Sequence, residues 1–176
     1  GALAGPVVAA AVVLPVDYHI KHLTDSKRVP PDYRIELLGE IQKAANAFST
    51  ALFPAHVIDC INIYQARMRA MQRAIGELDC NPEIVLVDGH VAPPVDIPAR
   101  PIVGGDRKCR IIAAASIIAK VGRDRIMERV DTLYPEYGFA MHKGYNTERH
   151  RAAISRHGPC PIHRLTYGQL RERQQH

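Results

Sequence analysis

Short apolar runs alternate along this chain with longer stretches in which apolar residues return every three or four positions. That alternation predicts an α/β protein. Val7 to Leu14, between Gly5-Pro6 and Pro15, is unbroken apolar sequence and predicts a buried strand. An edge strand is seldom so apolar, so a covering neighbour is expected. Asp17 to Lys27 is polar and predicts a loop. Pro30-Pro31 then opens a helix over 32–45, with Ile35, Leu38 and Ile41 on one face. Phe48 to Phe53 predicts a strand whose alternation is diluted by serine, threonine and alanine. Residues 54–78 predict a long helix from the spacing of Ile58, Ile61, Met68, Met71 and Ile75. The two methionines read as core filler. Two further strands are predicted, Ile84 to Asp88 and Pro101 to Asp106, separated by a proline-rich crossing. A helix over 111–130 follows, and its small-residue start, 113–120, permits close approach to a sheet. From Tyr134 onward glycine, proline, histidine and arginine dominate, with a short basic helix over 148–156 and a polar tail, 171–176, expected to fray.

The two later strands carry the first chemical signal. Ile84-Val85-Leu86-Val87 ends on Asp88-Gly89, and Pro101-Ile102-Val103 ends on Gly104-Gly105-Asp106. Open α/β sheets bind ligands beside the carboxyl ends of their strands. A lone aspartate there could simply cap a turn. Two strands delivering carboxylates to one edge resemble a divalent-metal site more closely, and such hard donors suit magnesium or manganese rather than zinc. Asp124 could add a third carboxylate, although between Arg123 and Arg125 it also reads as a surface ion pair. His142-Lys143-Gly144-Tyr145-Asn146-Thr147 offers donors, a glycine and a flat aromatic that could hold a phosphate and lie against a sugar or base. Thr147 also reads as the N-cap of the basic helix. Asp25-Ser26-Lys27 is a second donor-rich loop, equally readable as a solvated turn.

Composition narrows the class without naming it. The 176 residues suit one domain with a substantial core. The formal net charge of +5 fits a polyanionic partner. With no tryptophan and 6% aromatics, base stacking is not expected to dominate a nucleic-acid contact. Cys60, Cys80, Cys109 and Cys160 lack CxxC spacing, which argues against a zinc site or disulfide framework and for a reducing compartment. No stretch is apolar and long enough to span a bilayer, and Ala2 to Leu14 lacks the flanks of a signal peptide.

Taken in order, several segments resemble ribonuclease HII. They are Gly1-Ala2-Leu3-Ala4-Gly5-Pro6-Val7-Val8, Thr24-Asp25-Ser26-Lys27, Ile58-Asp59 with Asn62-Ile63, and Val87-Asp88-Gly89. Gly105-Asp106, the run from Ala113 to Lys120, Arg123-Asp124-Arg125 and Tyr137-Gly138-Phe139 continue the series. His142-Lys143-Gly144-Tyr145, Thr147, His157-Gly158-Pro159 and His163-Arg164 close it. The resemblance implies an α/β ribonuclease H-like fold, a mixed sheet flanked by helices with a small helical C-terminal extension. It divides the chain into a catalytic domain over 1–133 and a basic extension over 134–176, packed as one unit.

It also implies an endonuclease, acting by two-metal-ion hydrolysis with Mg2+ or Mn2+. The substrate would be the RNA strand of RNA–DNA hybrids and single ribonucleotides embedded in duplex DNA, and the products 3′-hydroxyl and 5′-phosphate ends. Asp88 and Asp106 match metal-binding, catalytic positions, and Asp124 a supporting one. Tyr145 matches the tyrosine that recognises the DNA side of a ribonucleotide–deoxyribonucleotide junction. Gly1, Ser26, Lys27, Lys143, His163 and Arg164 are the remaining expected substrate contacts. A cytoplasmic monomer working in ribonucleotide excision repair is expected.

The chain departs from the family where Asp-Glu-Ala-Gly-Arg-Gly should run into Ala2-Leu3-Ala4, with only the last glycine present as Gly1. The expectation is an N-terminally truncated member lacking the first central strand and two of four carboxylates, and weak or inactive by itself. Gly104, Arg107, Cys109 and Val57 are smaller departures. Two other readings stand beside this one: a catalytically inactive nucleic-acid-binding relative, and a phosphoryl-transfer enzyme of the same fold with another substrate.

Overall fold

A computed structural model describes residues 1–23, 26, 29–167 and 170. The element order is β1 (Val7–Val13), α1 (Pro31–Ala44), β2 (Ala47–Phe53), α2 (Ala55–Gly76), β3 (Val85–Asp88), β4 (Ala99–Ile102), α3 (Gly105–Lys108), α4 (Arg110–Leu133), α5 (Phe139–His142) and α6 (Glu148–His157). A single 3-10 turn, Pro135–Tyr137, precedes α5. The class is the expected mixed α/β one. Among the described residues the strands form two two-stranded sheets, β1–β2 and β3–β4. Two compact units result. One comprises 1–7, 52–66 and 122–176, and the other 8–51 and 67–121. The described residues of the predicted extension, 134–176, fall in the first of these.

The unit of residues 8–51 and 67–121 buries Leu14, Ile20, Leu37, Leu38, Ile41, Ala114, Ile117 and Ile118 in one cluster. In α1 the buried residues are Leu37, Leu38 and Ile41, whereas Ile35 is 52% exposed. The predicted face was therefore off by part of a turn, because Leu37 takes the inward position. β3 and β4 run parallel, with Val85 opposite Ala99 and Asp88 opposite Ile102. A cavity of about 400 Å³ is lined by Val8–Val13 of β1, by Val85–Asp88 of β3, and by Met71, Ile75, Ile112 and Ala115. Among the described residues the strands thus stand in two pairs, with an apolar slot bordered by a strand of each.

The unit of residues 1–7, 52–66 and 122–176 has its own core around Ala4, Met127, Tyr137, Phe139, Ala153, Ile154, Cys160 and Leu170. The predicted helix over 54–78 holds an unforeseen break at Asn62, whose φ of 65° and ψ of 164° are not helical. The Gln65 N–H donates to Asn62 Oδ1 at 3.0 Å. Asn62 thus ends one helical segment and caps the next, a role its short amide side chain suits. The Thr147 cap is present as expected, its hydroxyl accepting from the His150 N–H at 3.2 Å. No described helix is long and apolar enough to cross a membrane.

Candidate active site

Asp88 closes β3 directly after the buried Val87 and is itself exposed. The ladder continues one step further, with Gly89 N–H donating to the Ile102 carbonyl at 3.0 Å. β4 stops at Ile102, and here the sequence expectation needs correction. Asp106 does not end a strand; it lies in the first turn of α3. Gly104 causes the change, since its left-handed backbone (φ 64°, ψ 39°) turns the chain out of the sheet and into a helical turn. The turn still brings the backbone of residue 106 to the same end of the sheet. Gly105 N–H donates to Asp88 Oδ1 at 2.8 Å, which places Asp106 next in sequence to a direct partner of Asp88. Gly105 packs closely at that approach. A Cβ there would meet Ile112 Cδ1 at 2.6 Å and lie 3.5 Å from the Asp88 Cα. One Asp88 oxygen is thus oriented by a backbone donor, and the exposed carboxylate keeps acceptor positions facing solvent. Hard oxygen donors of this kind fit magnesium or manganese. No cluster of three or more metal-ligating side chains occurs among the described residues.

In the same unit Ser26 is buried, and its hydroxyl is bonded to that of Ser116 at 2.9 Å. It is turned inward, not toward a phosphate. Lys27 lies outside the described residues.

The remaining predicted residues belong to the other unit, where residues 1–6 thread between two loops. Leu3 and Ala4 N–H groups donate to the Gly144 carbonyl, Gly5 N–H donates to Ile162 O, and Arg164 N–H donates to Leu3 O. Ala2 forms a bridge with Tyr145, and Ala4 with His163. Gly144, at φ 78°, cannot carry a side chain, because a Cβ would sit 2.5 Å from the Ala4 carbonyl oxygen. Two buried arginines complete the clamp. Arg123 donates through Nε to Pro6 O (3.0 Å), through Nη1 to Lys143 O (2.9 Å) and through Nη2 to Ala4 O (3.0 Å). Arg164 donates to Gly5 O at 3.0 Å and Pro6 O at 3.2 Å. The Arg123 guanidinium also lies 5.2 Å from the centre of the Tyr145 ring, a cation–π arrangement. Burial lowers the Arg123 pKa from its ordinary value, while the Tyr145 phenol acts in the opposite direction.

Tyr145 itself is 41% exposed and Gly1 is also exposed. Arg164 and His163 are not, at 5% and 1% exposure. Their donors face carbonyls and ring nitrogens within the protein, so the expected direct phosphate contact does not describe their geometry. Lys143 is held as well, its ammonium 2.6 Å from both Glu128 Oε1 and Ala140 O. Asp124 is half-buried on α4, beside Arg123.

Histidines form the second layer. His150 Nδ1 lies 2.9 Å from the Tyr145 carbonyl oxygen, and its Nε2 lies 3.1 Å from His163 Nε2. His163 Nδ1 accepts from Cys160 N–H at 2.9 Å, with Cys160 Sγ at 3.1 Å and Cys160 O at 3.2 Å. His142 stacks on His150 with centroids 4.4 Å apart. Burial lowers the pKa of His150, and burial followed by the neighbouring His150 lowers that of His163 to about 4. Burial also raises the Cys160 thiol and the Tyr137 phenol. Arg123 stands in a segment that carries the resemblance but had no role there, and His150 lies outside those segments. Arg123 was legible only as a surface ion-pair partner, and a single histidine in a basic helix carries no signal of a partner 13 positions away.

Comparison with known proteins points to one family. The family model described as ribonuclease HII matches residues 1–170. The chain is 46% identical over 172 residues to the ribonuclease HII of Syntrophotalea carbinolica, covering 98% of this chain and 82% of that protein. It is 49% identical to that of Geotalea daltonii, covering 98% and 80%. Among solved structures, the ribonuclease H2 of Pyrococcus horikoshii superposes with a TM-score of 0.82 at 24% identity, covering 99% of this chain and 92% of that one. The ribonuclease HII of Archaeoglobus fulgidus, solved in complex with PCNA, gives 0.73 at 25% identity, covering 97% and 92%.

Proposed function

The chain belongs to the ribonuclease HII family, and from that premise we propose that it is an endonuclease that cuts the RNA strand of RNA–DNA hybrids. Single ribonucleotides embedded in duplex DNA are substrates too, and the products carry 3′-hydroxyl and 5′-phosphate ends. The observation that carries the reading is the bond from Gly105 N–H to Asp88 Oδ1, which joins the exposed carboxylate of β3 to the turn bearing Asp106. Asp88 and Asp106 would hold magnesium or manganese. A divalent ion at such carboxylates activates water and stabilises the leaving oxygen of a phosphodiester.

The chain's own groups do the rest. Gly105 N–H fixes the rotamer of Asp88, so the carboxylate is oriented before substrate arrives. Tyr145 offers an exposed flat ring to the sugar or base at the junction, with Asp124 in support. Gly1, next in sequence to the Ala2 that bridges Tyr145, and Lys143 lie beside this surface. His163 and Arg164 act by holding residues 4–6 and not by touching phosphate. The protein works as a monomer in the cytoplasm, in removing ribonucleotides from DNA.

The test is cleavage of a duplex carrying one ribonucleotide, beside an all-DNA duplex of the same sequence, with magnesium or manganese added after chelation. Cleavage restricted to the ribonucleotide and dependent on the ion supports the reading. Binding without cleavage under every metal condition supports the inactive-relative reading instead.

A further inference from the structure

The donor and acceptor roles in the histidine pair can be assigned from its ends. The Tyr145 carbonyl can only accept, so His150 Nδ1, 2.9 Å away, carries a proton. His163 Nδ1 faces both the Cys160 N–H at 2.9 Å, which can only donate, and the Cys160 carbonyl at 3.2 Å, which can only accept. The His150 end decides between them, because His150 Nε2 is left as an acceptor, so the His163 proton sits on Nε2 and Nδ1 accepts. Both rings are buried, which disfavours charge, and a neutral imidazole has one N–H. The remaining contact, Nε2 to Nε2 at 3.1 Å, is then satisfied in one way: His163 donates and His150 accepts. Hydrogen bonds therefore run in one direction, from Cys160 N–H through His163 and His150 to the Tyr145 carbonyl.

We propose that His163 and His150 are positioning residues whose opposite, locked tautomers hold the Tyr145 backbone in register for the nucleic-acid substrate. The assignment rests on the ribonuclease reading for its substrate, but not for its geometry. Arg123 fixes Tyr145 from its other end, since it lies over the ring and also binds the Lys143 carbonyl. An exposed aromatic on a loop gains specificity when its position is set before binding. Here the setting groups are buried, so their arrangement does not depend on solvent.

A proton added to His150 Nε2 would set two N–H groups against each other. One added to His163 Nδ1 would face Cys160 N–H at 2.9 Å, with only the longer 3.2 Å contact to the Cys160 carbonyl to accept it. Each would also place charge in a pocket whose other ionisable members offer little compensation. His142 stacks on His150. Tyr137 lies 5.0 Å from the His163 ring, and Cys160 contacts it directly. Arg123 and Arg164 are committed to backbone carbonyls, and Glu136, on the adjoining turn, acts on Cys160. The relay is thus intact near neutrality and disrupted as the pH falls below the ordinary histidine range.

Two measurements separate this from a merely structural role. Long-range 15N–1H spectra of the unsubstituted protein at neutral pH should show His150 protonated at Nδ1 and His163 at Nε2. The reverse order, or averaging between tautomers in either ring, overturns the relay. His150→Asn keeps a donor near the Nδ1 position, whereas His150→Gln keeps a polar group near Nε2 and removes that donor. On a duplex carrying one ribonucleotide, His150→Gln should raise KM about tenfold with kcat within about twofold, and His150→Asn should stay within about threefold in both. Equal losses in the two variants, or a loss confined to kcat, refute the positioning role. Absence of cleavage by the unsubstituted protein would favour the inactive-relative reading and leave the spectra to decide the relay.

Discussion

At the end of β3 a carboxylate is oriented by a backbone N–H and left facing solvent, whereas beneath Tyr145 two arginines and two histidines are buried among carbonyls and ring nitrogens. The difference follows from what each region has to do. A carboxylate meant for a hydrated cation must keep acceptor positions uncommitted, so it sits at the end of a short strand where burial costs are small. A positioning group needs one geometry, and burial enforces it, because an unpaired polar atom there loses its hydration without return. The first region should therefore be sensitive in rate and tolerant in stability, and the second the reverse.

The largest expected effect is at the acidic turn. Asp88→Asn should lower the cleavage rate by about a thousandfold or more while duplex affinity changes less than about threefold and melting is nearly unchanged. A variant within tenfold of the parent rate would remove Asp88 from the chemistry. Gly144→Ala strikes the cradle. The new Cβ meets the Ala4 carbonyl oxygen at 2.5 Å in a left-handed backbone, so a loss of about 3–5 kcal/mol is expected by urea unfolding. Gly89→Ala is the matched control in the acidic region, with φ 126° but nothing within 4 Å, and should lose only about 1–3 kcal/mol. Equal losses would show that backbone strain, and not the threading of residues 1–6, sets the cost at Gly144.

Acid should divide the regions next. His163 has a folded pKa of about 4, below the ordinary value of 6.5. Between those values the unfolded chain binds more protons than the folded one, so stability rises with pH across that window. The contribution is full above about pH 6.5 and lost as the pH falls toward 4, roughly 3 kcal/mol for this group. Unfolding free energies measured from pH 4 to 7 check it, and His163→Asn should flatten that slope. Asp59 gives a smaller effect. It accepts from Leu165 N–H, Thr166 N–H and Thr166 Oγ1 at 2.7–3.0 Å. Asp59→Ala should cost about 1–3 kcal/mol, seen as a lower Tm.

Salt dependence carries the smallest signal. Neutralising a true phosphate contact lowers the slope of log affinity against log salt by about one. Arg149 is exposed and should show that change, and Lys143, bound to Glu128, only part of it. His163 and Arg164, being buried, should leave the slope alone. A full unit lost at Arg164 would mean that the cradle opens onto the duplex.

Much of the frame was determined by the sequence by itself. Pro30-Pro31 and the run ending at Ile41 set α1, the apolar block from Val7 sets β1, and Val85-Leu86-Val87 ahead of Asp88 sets the strand that presents the carboxylate. These signals are local, since hydrophobic periodicity and the backbone limits of proline and glycine act over a few residues. Asp106 was legible as a partner of Asp88 but not as a helical residue, because the left-handed turn at Gly104 is one of several conformations glycine permits. The roles of Arg123, His150, His163 and Arg164 were decided by tertiary structure alone. Each is a polar side chain whose partners lie far away in sequence, Arg123 meeting Ala4 and Pro6, and Arg164 meeting Gly5. Whether such a residue faces water or a carbonyl depends on which segments are threaded past it. That follows from packing over the whole unit, where desolvation makes every buried donor find an acceptor.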